Sequence, residues 1–457
     1  MNAIRRQTNL SADLVYPGEK PRKGAVACEI GRHIKFDTEA LEGFAPSTWQ
    51  PIIYDVMLLV AAVEACDYSR TRSKIDWARN LSVRIPVHEV DRWNDTNVQQ
   101  ELTNTLRLLT GDNWFIEFRK TPEPQTRPAQ SQFDFPHHAD SVVPYSDGLD
   151  SKAVTGILSK TRPTDTMVRV RVGASRIKKP KIGERAKPFE NVPFRVGRIM
   201  NGNGESSGRS RGFKFGVLSG LAAHLVGSKS VIVPESGQGA IGPTLANVGQ
   251  SYFDRRSHPK FTKMVSSFLK ALLDDNITFE HPVIFSTKGQ TLGQFRQLFP
   301  EQEIWANTRS CWMDQRQASV NQQLRQCGVC AACMLRRLSL HAAGYHEPSD
   351  SYVWEDLGAK DFRSGASKQF STHNNAQWEY ALAGTLHLDH LASLKSSENL
   401  DDLLLRQAIP IADSLGLEVD DTKERIKEMI NVHTVEWLEF LNDLPDESFV
   451  RGWAEAR

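Results

Sequence analysis

The chain has 457 residues, with 56 Lys and Arg against 55 Asp and Glu, a net charge of +1, 40% hydrophobic residues and 24% charged ones. These values are ordinary for a globular protein long enough for two or three domains. The longest apolar run, Val56 to Ala62, is too short to span a bilayer, and Met1 to Asn9 is polar and basic, so neither a membrane protein nor a secreted one is expected, and a cytoplasmic location is. Six cysteines, four of them clustered, argue against a disulfide framework.

In chain order, residues 1–121 mix expected strands, Val26 to Ile30 and Trp114 to Phe118, with an apolar helix from Ile53 to Cys66. This reads as an N-terminal α+β block. Thr121 to His138 holds four prolines and little periodicity, so residues 122–138 read as a linker. His137 and His138 close it, either as a neutral loop pair or as contacts to a metal or pyrophosphate.

Val142 and Val143 read as the end of a buried strand. Asp150 to Lys160 reads as a helix with Ala153, Val154, Ile157 and Leu158 at helical spacing. The turn between them, Tyr145-Ser146-Asp147-Gly148-Leu149-Asp150-Ser151, places backbone N–H groups and a helix dipole toward an anion, with Ser146 and Ser151 as further donors. A carboxylate beside polyphosphate is repulsive unless a cation lies between, so Asp150 is a candidate Mg²⁺ ligand. The alternative is an ordinary helix start capped by Asp and Ser.

From Asp140 to Phe299 short apolar runs alternate with helical stretches. Met167 to Val172, Ser230 to Val233 and Val283 to Phe285 read as strands, and Phe215 to Val226, Lys260 to Leu273 and Thr291 to Leu298 as helices. Such alternation favours a parallel sheet with helices on both faces and a ligand at the strand carboxyl ends. Glu235, just after Ser230 to Val233, is a candidate ligand or a turn cap. Arg211, whose planar fork suits bidentate oxygens, is the favoured phosphate or carboxylate contact. His258-Pro259 opens a helix. From Lys160 to Lys214 there are 15 Lys and Arg against 4 Asp and Glu, so an acidic or phosphorylated partner is conceivable, but no aromatics interleave to stack bases before Phe189; nucleic acid is weakly supported.

Cys311, Cys327, Cys330 and Cys333 form C-x15-C-x2-C-x2-C, which suits a closed structural zinc site. An iron–sulfur cluster is the alternative, although the Cys-Pro ending of ferredoxin runs is missing. His341 and His346 could replace one ligand. Beyond His346, Gln377 to Leu394, Leu400 to Leu415 and Thr422 to Leu441 read as amphipathic helices, with Trp378, Leu382, Leu386, Trp437, Leu438 and Leu441 as candidate core residues.

Residues Tyr145 to Ser151 resemble the PP-loop, Ser-Gly-Gly-x-Asp-Ser, of ATP pyrophosphatases, with Asp147 in place of the first Gly. The PP-loop followed by Cys327-Gly328-Val329-Cys330-Ala331-Ala332-Cys333-Met334-Leu335-Arg336 resembles the QueC, or 7-cyano-7-deazaguanine synthase, family over roughly residues 135–347. Arg209-Ser210-Arg211-Gly212-Phe213 looks like that family's Arg-Asn-x-x-Phe segment, and Thr287-Lys288 like a pair that approaches ATP. The resemblance implies an adenine-nucleotide-alpha-hydrolase-like α/β core over residues 139–347, with a C-terminal helical addition over 348–457. It implies ATP, Mg²⁺ and Zn²⁺ as cofactors, a PP-loop site of Tyr145, Ser146, Asp147, Gly148, Leu149, Asp150 and Ser151, and catalytic roles for Asp150, Ser146, Ser151, Arg211 and Lys288. The implied reaction is ATP-dependent ligation: the carboxylate of 7-carboxy-7-deazaguanine is adenylated, pyrophosphate leaves, and the acyl group passes to a nitrogen nucleophile.

The added N- and C-terminal blocks make the chain similar to QueC-like components of bacterial anti-phage systems of the Qat type, which implies a docked protein partner whose amine accepts the acyl group. Two alternatives stay open. Asp147 could disable turnover, leaving a nucleotide- and zinc-binding scaffold, or the chain could be an RNA-modifying PP-loop enzyme.

Overall fold

A computed structural model describes residues 9–45, 49–72, 78–123, 139–146, 148–163, 166–174, 176, 187–201, 204–248, 252–313 and 317–455. His137, His138, Asp147 and the lysines at 178, 179 and 181 lie outside them.

The first elements in chain order are β1 (Asn9–Val15), β2 (Val26–Glu29), β3 (Ile34–Phe36), α1 (Glu39–Phe44), α2 (Pro51–Ser69), β4 (Asn80–Val87), α3 (Val90–Trp93), α4 (Thr96–Thr110) and β5 (Asn113–Lys120). Then come β6 (Ser141–Pro144), α5 (Leu149–Leu158), β7 (Met167–Val170), β8 (Val172–Ala174), β9 (Val192–Val196), α6 (Arg211–Leu225), β10 (Ser230–Ile232), α7 (Gly237–Ala240), α8 (Gly242–Leu245), α9 (Pro259–Leu273) and β11 (Thr278–Glu280). The remainder is α10 (Lys288–Leu298), the short hairpin β12 (Ser319–Val320) and β13 (Gln323–Leu324), α11 (Ala331–Ala342), α12 (Asn375–Ser393), α13 (Leu400–Leu415), α14 (Val419–Asn442) and α15 (Phe449–Glu455).

The chain divides into two compact units. The first comprises Met1–Tyr145, Arg162–Val233 and Asp254–Glu280; the second comprises Ser146–Thr161, Pro234–Phe253 and His281–Arg457. The cuts fall inside the 139–347 stretch that the sequence reads as one domain.

The first unit holds two four-stranded sheets, ordered β2-β1-β4-β5 and β11-β10-β6-β7, and every pairing in both is parallel. Parallel neighbours need crossovers, which α2, α4, α6 and α9 help to supply. The N-terminal block, expected as α+β, is therefore itself a parallel α/β arrangement. A mixed three-stranded sheet, β3-β9-β8, adds to the unit. Helix α2 is buried almost all round, which explains why it reads as a continuous apolar run without a polar face. Its exceptions are paired: Asp67 with Arg79, Glu64 with Lys214 and Asp55 with His88. In the second sheet the order reverses between β6 and β10, and at such a reversal α/β proteins take ligands outside the strand carboxyl ends. Tyr145 follows β6 directly and its N–H continues the ladder onto Val170 O at 2.9 Å.

Val283 to Phe285 is not a strand. The segment after β11 is a turn closed by Ser286 N–H on Val283 O, and the third expected strand is Thr278–Glu280 instead. Pro282, which has no N–H to give a ladder, precedes a short apolar run that joins a helical core through Ile284.

The second unit is helical apart from the β12–β13 hairpin. One core joins α5, α10 and α11; a second surrounds the cysteines and α12, α14 and α15; a third joins α8, α13 and α14. The three C-terminal helices expected from periodicity are present, with α15 in addition. Their core faces need correction. Trp378 and Leu438 are 45% and 52% exposed, and Leu382 and Leu386 are half-buried; Ala381 and Leu388 of α12 and Ile430, Trp437 and Leu441 of α14 are buried instead.

Candidate active site and thiolate cluster

Helix α5 is anchored by Leu149 and Ala153, one turn apart, which enter a core with Leu292, Phe295, Ile304 and Leu340. Gly156 admits α10 closely, since a Cβ there would collide with the Phe295 ring. The N-cap is Gly148, and among the described residues no side chain caps the helix, so its first N–H groups are left for another acceptor. The turn is closed on itself: Ser151 Oγ donates to Ser146 O at 2.6 Å, and Gly148 N–H donates to Ser146 Oγ at 3.2 Å. A β-carbon at Gly148 would lie 3.0 Å from Ser146 Oγ, so the turn has little room for a side chain there.

The same packing brings the first turn of α10 to that of α5. Thr287 caps α10, accepting from Gln290 N–H, and the Gln290 side chain accepts from Thr287 N–H. Lys288, the first residue of α10, is only 5% exposed and its Nζ lies 2.5 Å from Asp150 Oδ2. An ammonium that deeply buried requires a counter-charge. Asp150 Oδ1 has no hydrogen-bond partner among the described residues, which leaves one carboxylate oxygen for a cation. Ser146, Ser151, Asp150 and Lys288 thus come together in one unit, as an uncapped helix start with two hydroxyls, one carboxylate and one ammonium.

Behind Lys288 lies a buried polar network. Lys288 N–H donates to Gln238 Oε1 at 2.8 Å, and Gln238 Nε2 donates to His433 Nδ1 at 2.8 Å and, more weakly, to Glu436 Oε2 at 3.4 Å. Thr287 Oγ1 donates to Glu436 Oε1 at 2.6 Å, and His433 Nε2 donates to Leu388 O at 2.8 Å. Burial holds the His433 pKa down to about 4, so its ring is neutral and Nδ1 is free to accept. Burial pushes the Glu436 carboxyl up to about 7, against the Thr287 and Gln238 donors that favour its charge.

The four sulfurs of Cys311, Cys327, Cys330 and Cys333 lie within 4.8 Å of one another, with three of the cysteines buried and Cys311 half-buried. Cys327 Sγ and Cys333 Sγ are 3.7 Å apart, close to the roughly 3.8 Å that tetrahedral zinc with Zn–S near 2.3 Å requires. Backbone N–H groups already point at the sulfurs: Cys327 N at Cys311 Sγ, 3.2 Å, and Cys330 N at Cys327 Sγ, 3.2 Å. Such donors stabilise thiolates, so the cluster can hold a metal ion of the zinc type. His341 and His346 are not part of it; His341 Nε2 lies 2.7 Å from Asp443 Oδ2, and His346 is exposed.

Arg336, three residues after Cys333 and fully buried, binds Glu347 through Nε at 2.9 Å and Nη2 at 2.7 Å, and reaches Thr308 Oγ1 and Trp305 O. Burial disfavours its charge, but Glu347 holds its pKa above the ordinary value. It ties α11 to the segment that leads into Cys311. Lys152 of α5 donates to Ile304 O and Ala306 O in that same segment.

Other expected site residues make other contacts. Arg211 opens α6 in the first unit, 5.4 Å from the Phe215 ring centroid. Much of its side chain is exposed, yet desolvation of the guanidinium and the charge of Arg256 hold its pKa below the ordinary value. Tyr145, also in the first unit, stacks under Arg169, 4.6 Å from ring centroid to guanidinium. Glu235 folds back over Gly239, where a Cβ would strike its carboxylate. His258 caps α9, accepting from Lys260 N–H at 3.1 Å.

Sequence reasoning missed Gln238, His433 and Glu436. A signal for the last was available: Glu436 lies seven residues after Met429 and four before Phe440, so it occupies the apolar stripe of α14, where a carboxylate needs a partner.

Among the described residues no helix is long and apolar enough to cross a membrane. No curated protein and no solved structure matches the chain. Residues 244–344 match the family model described as queuosine biosynthesis protein QueC, about a fifth of the chain, a stretch that takes in Lys288, all four cysteines and Arg336. With the phosphate-type turn at the start of α5 and parallel sheets flanked by helices, the chain is a QueC-like protein of the ATP-utilising PP-loop type.

Proposed function

We propose that this protein is an ATP-dependent adenylating ligase that acts on a deazaguanine carboxylate, 7-carboxy-7-deazaguanine, and passes the acyl group to a nitrogen nucleophile. The substrate oxygen attacks the α-phosphorus, the bond to the β-phosphate bridge breaks, and pyrophosphate leaves. The amine nitrogen then attacks the acyl carbon and loses a proton to solvent, while AMP departs with the bonding electron pair. A carboxylate oxyanion leaves poorly, and AMP leaves well when its charge is met by basic groups.

The observation that carries this reading is the Lys288–Asp150 pair at two adjoining helix starts, beside the Ser146 and Ser151 hydroxyls. The N–H groups of the uncapped α5 start and the two hydroxyls receive pyrophosphate oxygens. Lys288 places a desolvated positive charge beside them, and Asp150, with one oxygen open, holds Mg²⁺, which supplies charge neutralisation at the phosphates. The thiolate cluster holds Zn²⁺ and fixes the origin of α11, which packs on α10.

The chain extends well beyond the segment matched to QueC, and the C-terminal helices supply surface that a small-molecule reaction does not need. We therefore take the acceptor to be an amine of a protein partner. Pyrophosphate release with Mg-ATP, dependent on the deazaguanine acid, tests the activation step; addition of native-host lysate, followed by mass spectrometry for a deazaguanine acyl adduct on protein, tests the acceptor.

A further inference from the structure

We infer that Glu436, on the C-terminal helix α14, is a positioning residue that holds Lys288 against Asp150 and makes that pair responsive to protons. This rests on the assignment of Asp150 and Lys288 to the ATP site. Residue 436 lies outside the stretch matched to QueC, so the device belongs to the C-terminal addition.

Two connections run from Glu436 to the start of α10. Its Oε1 accepts from Thr287 Oγ1 at 2.6 Å, and Thr287 is the N-cap residue of α10. Its Oε2 accepts from Gln238 Nε2, and Gln238 Oε1 accepts from Lys288 N–H at 2.8 Å. One carboxylate therefore holds the Thr287 side chain directly and the Lys288 N–H through Gln238. Gly289 permits it: a Cβ there would collide with Glu436 Oε1 and lie 2.8 Å from Ala342 Cβ. A helix N-terminus is also where a negative charge is held best.

Glu436 is the carboxyl at the start of α10 whose proton affinity burial raises toward neutrality. On its own helix, His433 is kept neutral by burial, and Glu439 adds repulsion that favours the protonated form. On α7 the facing group is the uncharged Gln238. On α10, Lys288 turns its ammonium to Asp150. On α11, His341 is engaged with Asp443, and on α12, Asp389 accepts from Trp437 Nε1 while His387 lies beside Ala246 O. No cation is paired with Glu436 among the described residues, so burial, aided by Glu439, outweighs the Thr287 and Gln238 donors and raises its carboxyl to about 7. When it gains a proton, the charge that holds both donors is lost and the start of α10 loosens; Lys288 then spends less time on Asp150.

The test compares pH–rate profiles of pyrophosphate release by the full chain and by Glu436→Gln, which keeps shape and hydrogen-bonding reach but cannot ionise. The wild type should lose kcat as pH falls through about 7, with a one-proton step. In Glu436→Gln that step should be absent and kcat at pH 8 lower by about tenfold to hundredfold, as expected for a misplaced catalytic group, while KM for ATP changes little. A step that persists unchanged in the variant overturns the inference. The amide resonance of Lys288, in protein labelled with ¹⁵N-lysine, separates this failure from that of the enzymatic reading. If the wild type releases no pyrophosphate, the ligase assignment falls, but a Lys288 amide that titrates near pH 7 in wild type and not in Glu436→Gln still supports the coupling, and one that is flat in both overturns it.

Discussion

Lys288 Nζ meets Asp150 Oδ2 at 2.5 Å, and the pair joins the first turns of two helices that are 138 residues apart in sequence. Neither residue could be so buried and charged alone. Replacing Lys288 with Met should lower pyrophosphate release by about a hundredfold or more, the scale seen when one transition-state donor is removed. Asp150→Asn should do the same and weaken the dependence on Mg²⁺. Steady-state kinetics over a Mg²⁺ series checks both; rates within a few-fold of wild type would remove these residues from catalysis.

The cysteine cluster should bind one zinc per chain. Cys330→Ser should lower zinc content and thermal stability together, because metal binding free energy is folding free energy. Metal analysis alongside thermal unfolding measures the two, and full zinc content in the variant would contradict the assignment.

Much of this arrangement is legible in the sequence, for reasons that differ by residue. The turn from Ser146 to Ser151 and the cysteine spacing are local patterns, and local patterns survive folding. Helices α6, α9 and α12 to α14 follow from periodicity. The Val283 to Phe285 run failed because an apolar triplet has no period, and burial in a helical core looks the same as burial in a sheet. Trp378 and Leu438 failed because size and hydrophobicity do not say which side of a helix faces inward. The Gln238–Glu436–Thr287 network could not be seen, since it joins three segments up to 198 residues apart.

Arg336 closes the cysteine motif and should be structural. Arg336→Met leaves Glu347 buried without its partner, a change worth about 3–5 kcal/mol in comparable buried pairs. A lowered Tm with reduced zinc content is expected by calorimetry and metal analysis. An unchanged Tm would show that the contacts to Trp305 and Thr308 do not hold the Cys311 segment.

Glu436 also links stability to pH. Its folded pKa, about 7, lies above the ordinary 4.5, so the folded state takes up its proton more readily than the unfolded chain. That contribution is fully present below about pH 4.5 and is lost as pH rises through about 7. The difference amounts to on the order of 3 kcal/mol. Glu436→Gln should therefore raise Tm relative to wild type at pH 8 and much less at pH 5. An equal difference at both pH values would mean that the carboxyl is not held up by burial.

Gly289→Ala tests the close approach on which this network depends. The added methyl meets Glu436 and Ala342, and overpacking of this kind costs about 1–3 kcal/mol. Denaturant unfolding should show the loss; a neutral result would mean that Glu436 can stand back from α10.

The most direct measurement is pyrophosphate release by the purified protein with Mg-ATP, in the presence and absence of 7-carboxy-7-deazaguanine. Release that requires the acid and disappears in Asp150→Asn is the expected result. ATP binding with no release under either condition would contradict the assignment of an adenylating ligase.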